Sequence, residues 1–124
     1  AMNCKGYDIN ARAVEDLVES GSYVDPHKTP VDAITCWDSL EHIPEPEKLL
    51  DRVKEWVFVS IPIFDDLDHL LQSRHYKPGE HLWYFTDYGL IEWMEKQGFR
   101  LVDLNDNESQ LGRDGIMSFA FRRV

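Results

Sequence analysis

The sequence predicts an α/β fold: a mostly parallel sheet closed by a C-terminal antiparallel hairpin. Three observations carry this. Val31–Trp37 and Trp56–Ile61 are apolar, β-rich runs of the kind found in strands buried on both faces, as in parallel sheets. Segments with helical spacing alternate with the strand-like runs, so neighbouring strands can run parallel through crossovers. The last two runs, Arg100–Leu104 and Ile116–Arg122, have no helix predicted between them, which favours an antiparallel pair.

The elements follow in order. Cys4–Asp8 reads as a short strand ending in an acid. Asn10 is a good N-cap for a helix whose stripe is Ala13, Val14, Leu17 and Val18, and Gly21 stops it. Ser22–Val24 is a candidate edge strand, and Asp25–Pro30, with two prolines, is a loop. Pro46 fits the first turn of a helix with Leu49, Leu50 and Val53 inward. Pro62 closes the strand before it. Asp65 or Asp66 can cap a short helix carrying Leu67, Leu70 and Leu71, with His69 on its solvated face. Ser73–Glu80 is a polar loop around Pro78-Gly79 that holds His75 and Tyr76, candidates for a lid; His27 is expected in an exposed loop. Thr86 caps a helix that buries Leu90, Trp93 and Met94 and ends at Gly98. In the last strand Met117, Phe119 and Phe121 alternate with Ser118 and Ala120. Glu108 and Arg113 flank the hairpin turn and are expected to pair.

Length and charge bound the function. The 124 residues suffice for one domain, 1–124, and not for two. Net charge is −10, from 13 basic and 23 acidic residues, which repels phosphate backbones and argues against a nucleic-acid surface. No apolar run is long enough to span a bilayer, and no secretory signal is visible. Cys4 and Cys36 lack metal-type spacing and read as reduced thiols of a cytoplasmic protein. Ala1 before Met2 has the look of a cloning remnant, which puts Asn3 near the natural beginning.

The chemistry concentrates in WDSLEHIPEPEKLL, Trp37–Leu50. Asp38, Glu41 and His42 are spaced i, i+3, i+4 and share a face if they begin a helix. Two acids and an imidazole there form either a ligand or metal cluster or a solvated helix end. Ligands of such sheets bind beyond the carboxyl ends of the strands, which predicts Asp8, Trp37, Asp38 and Pro62 along one edge.

Five pieces in order resemble the class I S-adenosylmethionine-dependent methyltransferases: GYDINARAVEDLVESG, DAITCWDSLEHIPEPEKLL, FVSIPIF, EHLWYFTDYGLIEWMEKQGF and the closing hairpin. The resemblance implies a Rossmann-like sheet and S-adenosylmethionine as cofactor. It implies that Asp8, ending the family's second strand, accepts from the ribose diol, with Ile9 beside it and Trp37 and Asp38 lining the cofactor side. Glu41, His42 and His81 would line the acceptor side and act on the acceptor's proton. The set Asp38, Glu41, His42 and His81 is also similar to a metal cluster of small-RNA 2′-O-methyltransferases. Asp38 departs there from a longer glutamate, and small-molecule methyltransferases carry the Glu-His pair without an ion; the expectation is polar lining and no metal.

The family's glycine-rich turn after its first strand is absent, and the chain begins where the second strand begins. A truncated methyltransferase is therefore expected, acting on a small-molecule or unknown acceptor. The alternative is a non-catalytic oligomerisation or partner-binding module, in which a second copy, as a homodimer, covers the open sheet edge.

Overall fold

The computed structural model describes residues 4–124; the expectation about Ala1 and Met2 lies outside them. Four strands form one sheet in the order β1-β2-β4-β3. They are β1 (Val31–Trp37), β2 (Val53–Pro62), β3 (Phe99–Asn105) and β4 (Ile116–Arg123). β1 pairs parallel to β2, with Ile34 opposite Val57 and Cys36 opposite Val59. β4 inserts antiparallel between β2 and β3. Three strands thus share one direction and β4 alone is reversed, as expected of a mostly parallel sheet with a closing antiparallel pair. The β3–β4 connection differs in one respect: it contains a one-turn helix, α5 (Asn107–Gln110), too short to show a helical repeat in sequence.

The other helices are α1 (Ala11–Glu19), α2 (Pro46–Leu50), α3 (Leu67–Gln72) and α4 (Asp87–Lys96). Their caps are those the sequence advertises. Asn10 accepts from the backbone N–H groups of Arg12 and Ala13. Asp66 accepts from His69 N, and Thr86 Oγ1 accepts from Gly89 N. Pro46 opens α2. Gly98 ends the α4 segment at φ 89°, a left-handed conformation that L side chains rarely adopt.

Val57, Val59 and Ile61 of β2 and Phe119 and Phe121 of β4 form the core face of the sheet. Leu49 and Leu50 of α2, Leu90 and Met94 of α4, Phe99 and Leu40 complete it. Val53, expected on the inner face of α2, is buried as the first residue of β2. Arg123, at the end of β4, donates to Val53 O at 2.7 Å and Leu50 O at 2.9 Å and lies over the Phe99 ring, tying α2 to the far side of the sheet.

Three expectations are corrected. Cys4–Asp8 and Ser22–Val24 are not strands of the sheet; they meet in a single parallel bridge, Gly6 to Tyr23, with Gly6 N donating to Ser22 O and Val24 N to Gly6 O. Gly6 also packs closely against α1: a Cβ there would sit 2.9 Å from Leu17 Cδ2. Nor is β1 buried on both faces. Only Cys36 is buried, while Ala33, Thr35 and Trp37 are exposed on the face they share with Trp56, Phe58 and Ser60. Apolar content predicts a strand's tendency to be covered, not whether a covering layer is present. His27 is also less exposed than expected: it is half-buried against Tyr7, its Nδ1 2.9 Å from Asp25 Oδ1. No helix of the described residues is long and apolar enough to cross a membrane.

Two outcomes follow. Arg123→Ala lowers unfolding free energy by about 2 kcal/mol, the scale for losing hydrogen bonds from a charged donor, read from urea denaturation. A thiol reagent modifies exposed Cys4 quickly and Cys36 only on unfolding, because burial pushes the Cys36 thiol up to about 11.

Candidate functional site

A cleft of about 240 Å³ opens beyond the carboxyl ends of β1 and β2. It is built first from the turn after β1. Asp38 N donates to Ser60 O at 2.9 Å, extending the β1–β2 ladder by one bond. Asp38 then adopts φ 51°, a left-handed conformation costing about 1 kcal/mol in an L residue and best tolerated by Asn and Asp. This reversal sends the chain into a 3-10 turn, Leu40–His42, whose first residue is fully buried. Asp38 therefore precedes the helical turn rather than opening it, yet Asp38, Glu41 and His42 all line the same cleft.

His81 arrives from a segment forty residues later. Leu82 N and Trp83 N donate to Glu41 O at 2.8 and 3.3 Å, and Trp83 Nε1 donates to Ile43 O at 2.8 Å. These bonds dock residues 81–83 on residues 41–43. His42 Nδ1 lies 2.8 Å from Glu80 O, and His81 Nδ1 lies 2.7 Å from His75 O. A carbonyl only accepts, so each Nδ1 carries the proton; in the neutral rings Nε2 keeps a free lone pair. The rings meet edge to face with centroids 4.6 Å apart.

Glu41 is the electrostatic centre. Its residue is 2% exposed. Oε1 is 3.7 Å from His42 Nε2, and Oε2 has no hydrogen-bond partner. Burial pushes its carboxyl above the usual range, while its own backbone N–H and the neighbouring His42 pull the other way. Beside it, Arg113 bridges Asp38, at 2.6 Å, and Glu108, and Glu108 Oε1 accepts from Ser60 Oγ at 2.6 Å. The Glu108–Arg113 pair was expected; its extension to Asp38 was not. His75 also lines the cleft, held by Asp114 O at 2.9 Å from its Nε2.

Asp38, Glu41, His42 and His81 thus come together. Asp8, Ile9 and Trp37 do not line this cleft. Asp8 is exposed and accepts from Asn10 N at 2.9 Å; Ile9 is 87% and Trp37 58% exposed. Lys77, Glu80 and Arg113 line it as well, and sequence reasoning did not place them there. Their ionic character looks the same as that of any solvated loop, and only the Pro78-Gly79 turn, with Gly79 at φ 84°, hinted that this loop folds back.

A sheet in which three strands share one direction and a reversed strand is inserted beside the last, with a polar cleft beyond the carboxyl ends of parallel strands, defines the Rossmann-like α/β class. Within that class the chain belongs to the methyltransferase-domain family, whose model residues 1–104 match. Solved structures agree on the fold. Magnesium protoporphyrin IX methyltransferase (ChlM) of Synechocystis PCC 6803, with bound SAH, superposes with a TM-score of 0.53 at 13% identity, over 91% of this chain and 57% of that one. Mitomycin 7-O-methyltransferase MmcR gives 0.59 at 16%, over 89% and 38%. The [4+2]-cyclase SpnF gives 0.53 at 13%, over 91% and 61%. The chain spans roughly half the length of these structures. No curated protein matches it in sequence.

Glu41→Gln keeps the shape of the buried side chain and removes its charge. With its pKa raised on folding, wild-type Glu41 favours the native state at low pH and opposes it as pH rises from about 4.3 towards the raised value. In buffer with EDTA the variant is therefore more stable than wild type at pH 7.5, and the difference vanishes near pH 4, as read by urea midpoints.

Proposed function

We propose that the chain is an S-adenosylmethionine-dependent methyltransferase domain whose acceptor enters the Glu41–His42–His81 cleft. The observation that carries the reading is the convergence of a buried carboxylate and two oriented imidazoles beyond the carboxyl ends of adjacent parallel strands, in a chain of this family. Asp8, exposed and accepting from Asn10 N through Oδ1, would accept from the ribose hydroxyls, with Ile9, Trp37 and Asp38 flanking the adenosine. ChlM, of the same fold, holds SAH in its structure.

The step is an in-line displacement. Bound S-adenosylmethionine would supply the methyl group, the carbon–sulfur pair passing to sulfur as an acceptor lone pair forms the new bond. Where the acceptor carries a proton, His42 Nε2, with its Nδ1 fixed on Glu80 O, takes it. Glu41 stabilises the resulting imidazolium at 3.7 Å, and His81 orients the acceptor from across the edge-to-face contact. A small-molecule acceptor in the cytoplasm fits the net charge of −10, which disfavours nucleic acid, and the two free cysteines. Residues 1–124 would act as one domain.

A second reading is favoured by one observation. β1 forms the sheet edge, and its Ala33, Thr35 and Trp37 are exposed, as an interface strand would be before its partner docks. On that reading the chain is a non-catalytic module that homodimerises or binds a partner. SpnF, a cyclase of the same fold, illustrates that the fold alone does not choose the reaction.

Calorimetric titration separates the two. Micromolar S-adenosylmethionine binding that Asp8→Ala abolishes supports the enzyme. No heat at millimolar cofactor, with a dimeric mass by light scattering, supports the module.

A further inference from the structure

Glu41 leaves one acceptor of the cleft unmet. The residue is buried, and no described residue donates to its Oε2. A buried acceptor without a donor costs free energy. His42 and His81 stand beside it. With each Nδ1 committed to a carbonyl, each neutral ring keeps one Nε2 lone pair for a ligand. Two cations line the same cleft. Arg113 is engaged by Asp38 and Glu108, and Lys77 forms no ion pair among the described residues.

We propose that Glu41, His42 and His81 bind the ammonium group of a primary amine. One oxygen or ring nitrogen from each residue lies within 4.8 Å of the others. A tetrahedral nitrogen donating to three acceptors at about 2.8 Å holds them about 4.6 Å apart. Glu41 Oε1 and His42 Nε2, at 3.7 Å, reach that spacing by a small rotation, and His42 keeps a third of its side chain exposed. An ammonium carries three N–H donors on one atom and no acceptor. A hydroxyl brings one donor with lone pairs of its own, and so leaves acceptor facing acceptor. A guanidinium spreads its donors over a plane and cannot direct three of them from one atom.

Charge favours the same ligand. Asp38, Glu41 and Glu80 line the cleft against Lys77 and Arg113, and Glu108 further neutralises Arg113. Attraction between the Glu41 carboxylate and the ammonium offsets the desolvation of both. Lys77 works against the added charge. The role of the amine rests on the acceptor-side reading above, in which it is the methyl acceptor. One ammonium proton passes to His42 Nε2, and the nitrogen lone pair so freed forms the bond to the methyl carbon of S-adenosylmethionine as the carbon–sulfur pair passes to sulfur. Binding of the amine does not depend on that reading.

The test uses the whole chain near neutral pH, where alkylamines are protonated. EDTA is present and S-adenosylmethionine is not, so a failed cofactor titration and a failed amine titration stay distinguishable. The probes are benzylamine, propylamine, the neutral benzyl alcohol, and benzyltrimethylammonium, which keeps the charge and has no N–H. Histidine NMR on the wild type follows each titration. Both primary amines should saturate and shift the ring signals of His42 and His81. Benzyl alcohol and the trimethylated cation should bind at least about ten-fold more weakly than benzylamine, the scale of losing a hydrogen bond to a charged group. Glu41→Gln, which preserves the shape of the side chain, should weaken benzylamine by a similar factor, and Lys77→Met should tighten it. Benzyl alcohol or the trimethylated cation binding as well as benzylamine, shifts confined to His27 and His69, or no saturation by either amine would overturn the assignment.

Discussion

β2 sets the position of everything at the cleft through its two registers. On one side its pairing with β1 places Ser60 O where Asp38 N can reach it, which fixes the point at which the chain leaves the sheet. On the other side its pairing with β4 sets Ser60 opposite Ser118 and Pro62 opposite Ile116. That brings the connection before β4, with Glu108 and Arg113, to Ser60 and Asp38. A slip of one residue in either ladder would turn Ser60 to the core face and Val59 or Ile61 to the cleft. The core forbids this, because Val57, Val59 and Ile61 are buried against Phe119 and Phe121. Hydrophobic packing on one face of the sheet thereby holds polar geometry at its edge.

The polar groups at that edge are not there for stability. The Arg113 pairs with Asp38 and Glu108 are half-exposed, and ion pairs of that kind add little to stability. Glu41, buried with an unpartnered oxygen, opposes folding in its charged form. Asp38 adds a left-handed backbone. These unfavourable groups gather at one place and are offset by a well-packed core.

Fold membership and reaction are separate matters here. A methyltransferase-domain family and low-identity structural neighbours fix the architecture, but neighbours of this fold include a cyclase as well as methyltransferases. The chemistry must be argued from the cleft. Its distinguishing feature is a buried carboxylate, with one oxygen unpartnered among the described residues, beside two imidazoles.

The α/β class, the positions of β1, β2, β3 and β4, the caps of α1, α3 and α4 and the Glu41–His42 cluster were all legible in the sequence. Each rests on local rules: apolar periodicity, a side-chain oxygen reaching the N–H two or three residues on, and a chemically conspicuous Glu-His pair. The exposure of β1, the loss of the Cys4–Asp8 strand to a single bridge, the recruitment of Arg113 to Asp38 and the orientation of both imidazoles were decided only in three dimensions. A strand is covered or bare, and paired or unpaired, according to neighbours far away in the chain. Likewise an imidazole's tautomer is set by the carbonyl it meets, here Glu80 O for His42 and His75 O for His81, and that carbonyl is brought into place by the folding of residues 75–83 on the turn at residue 41.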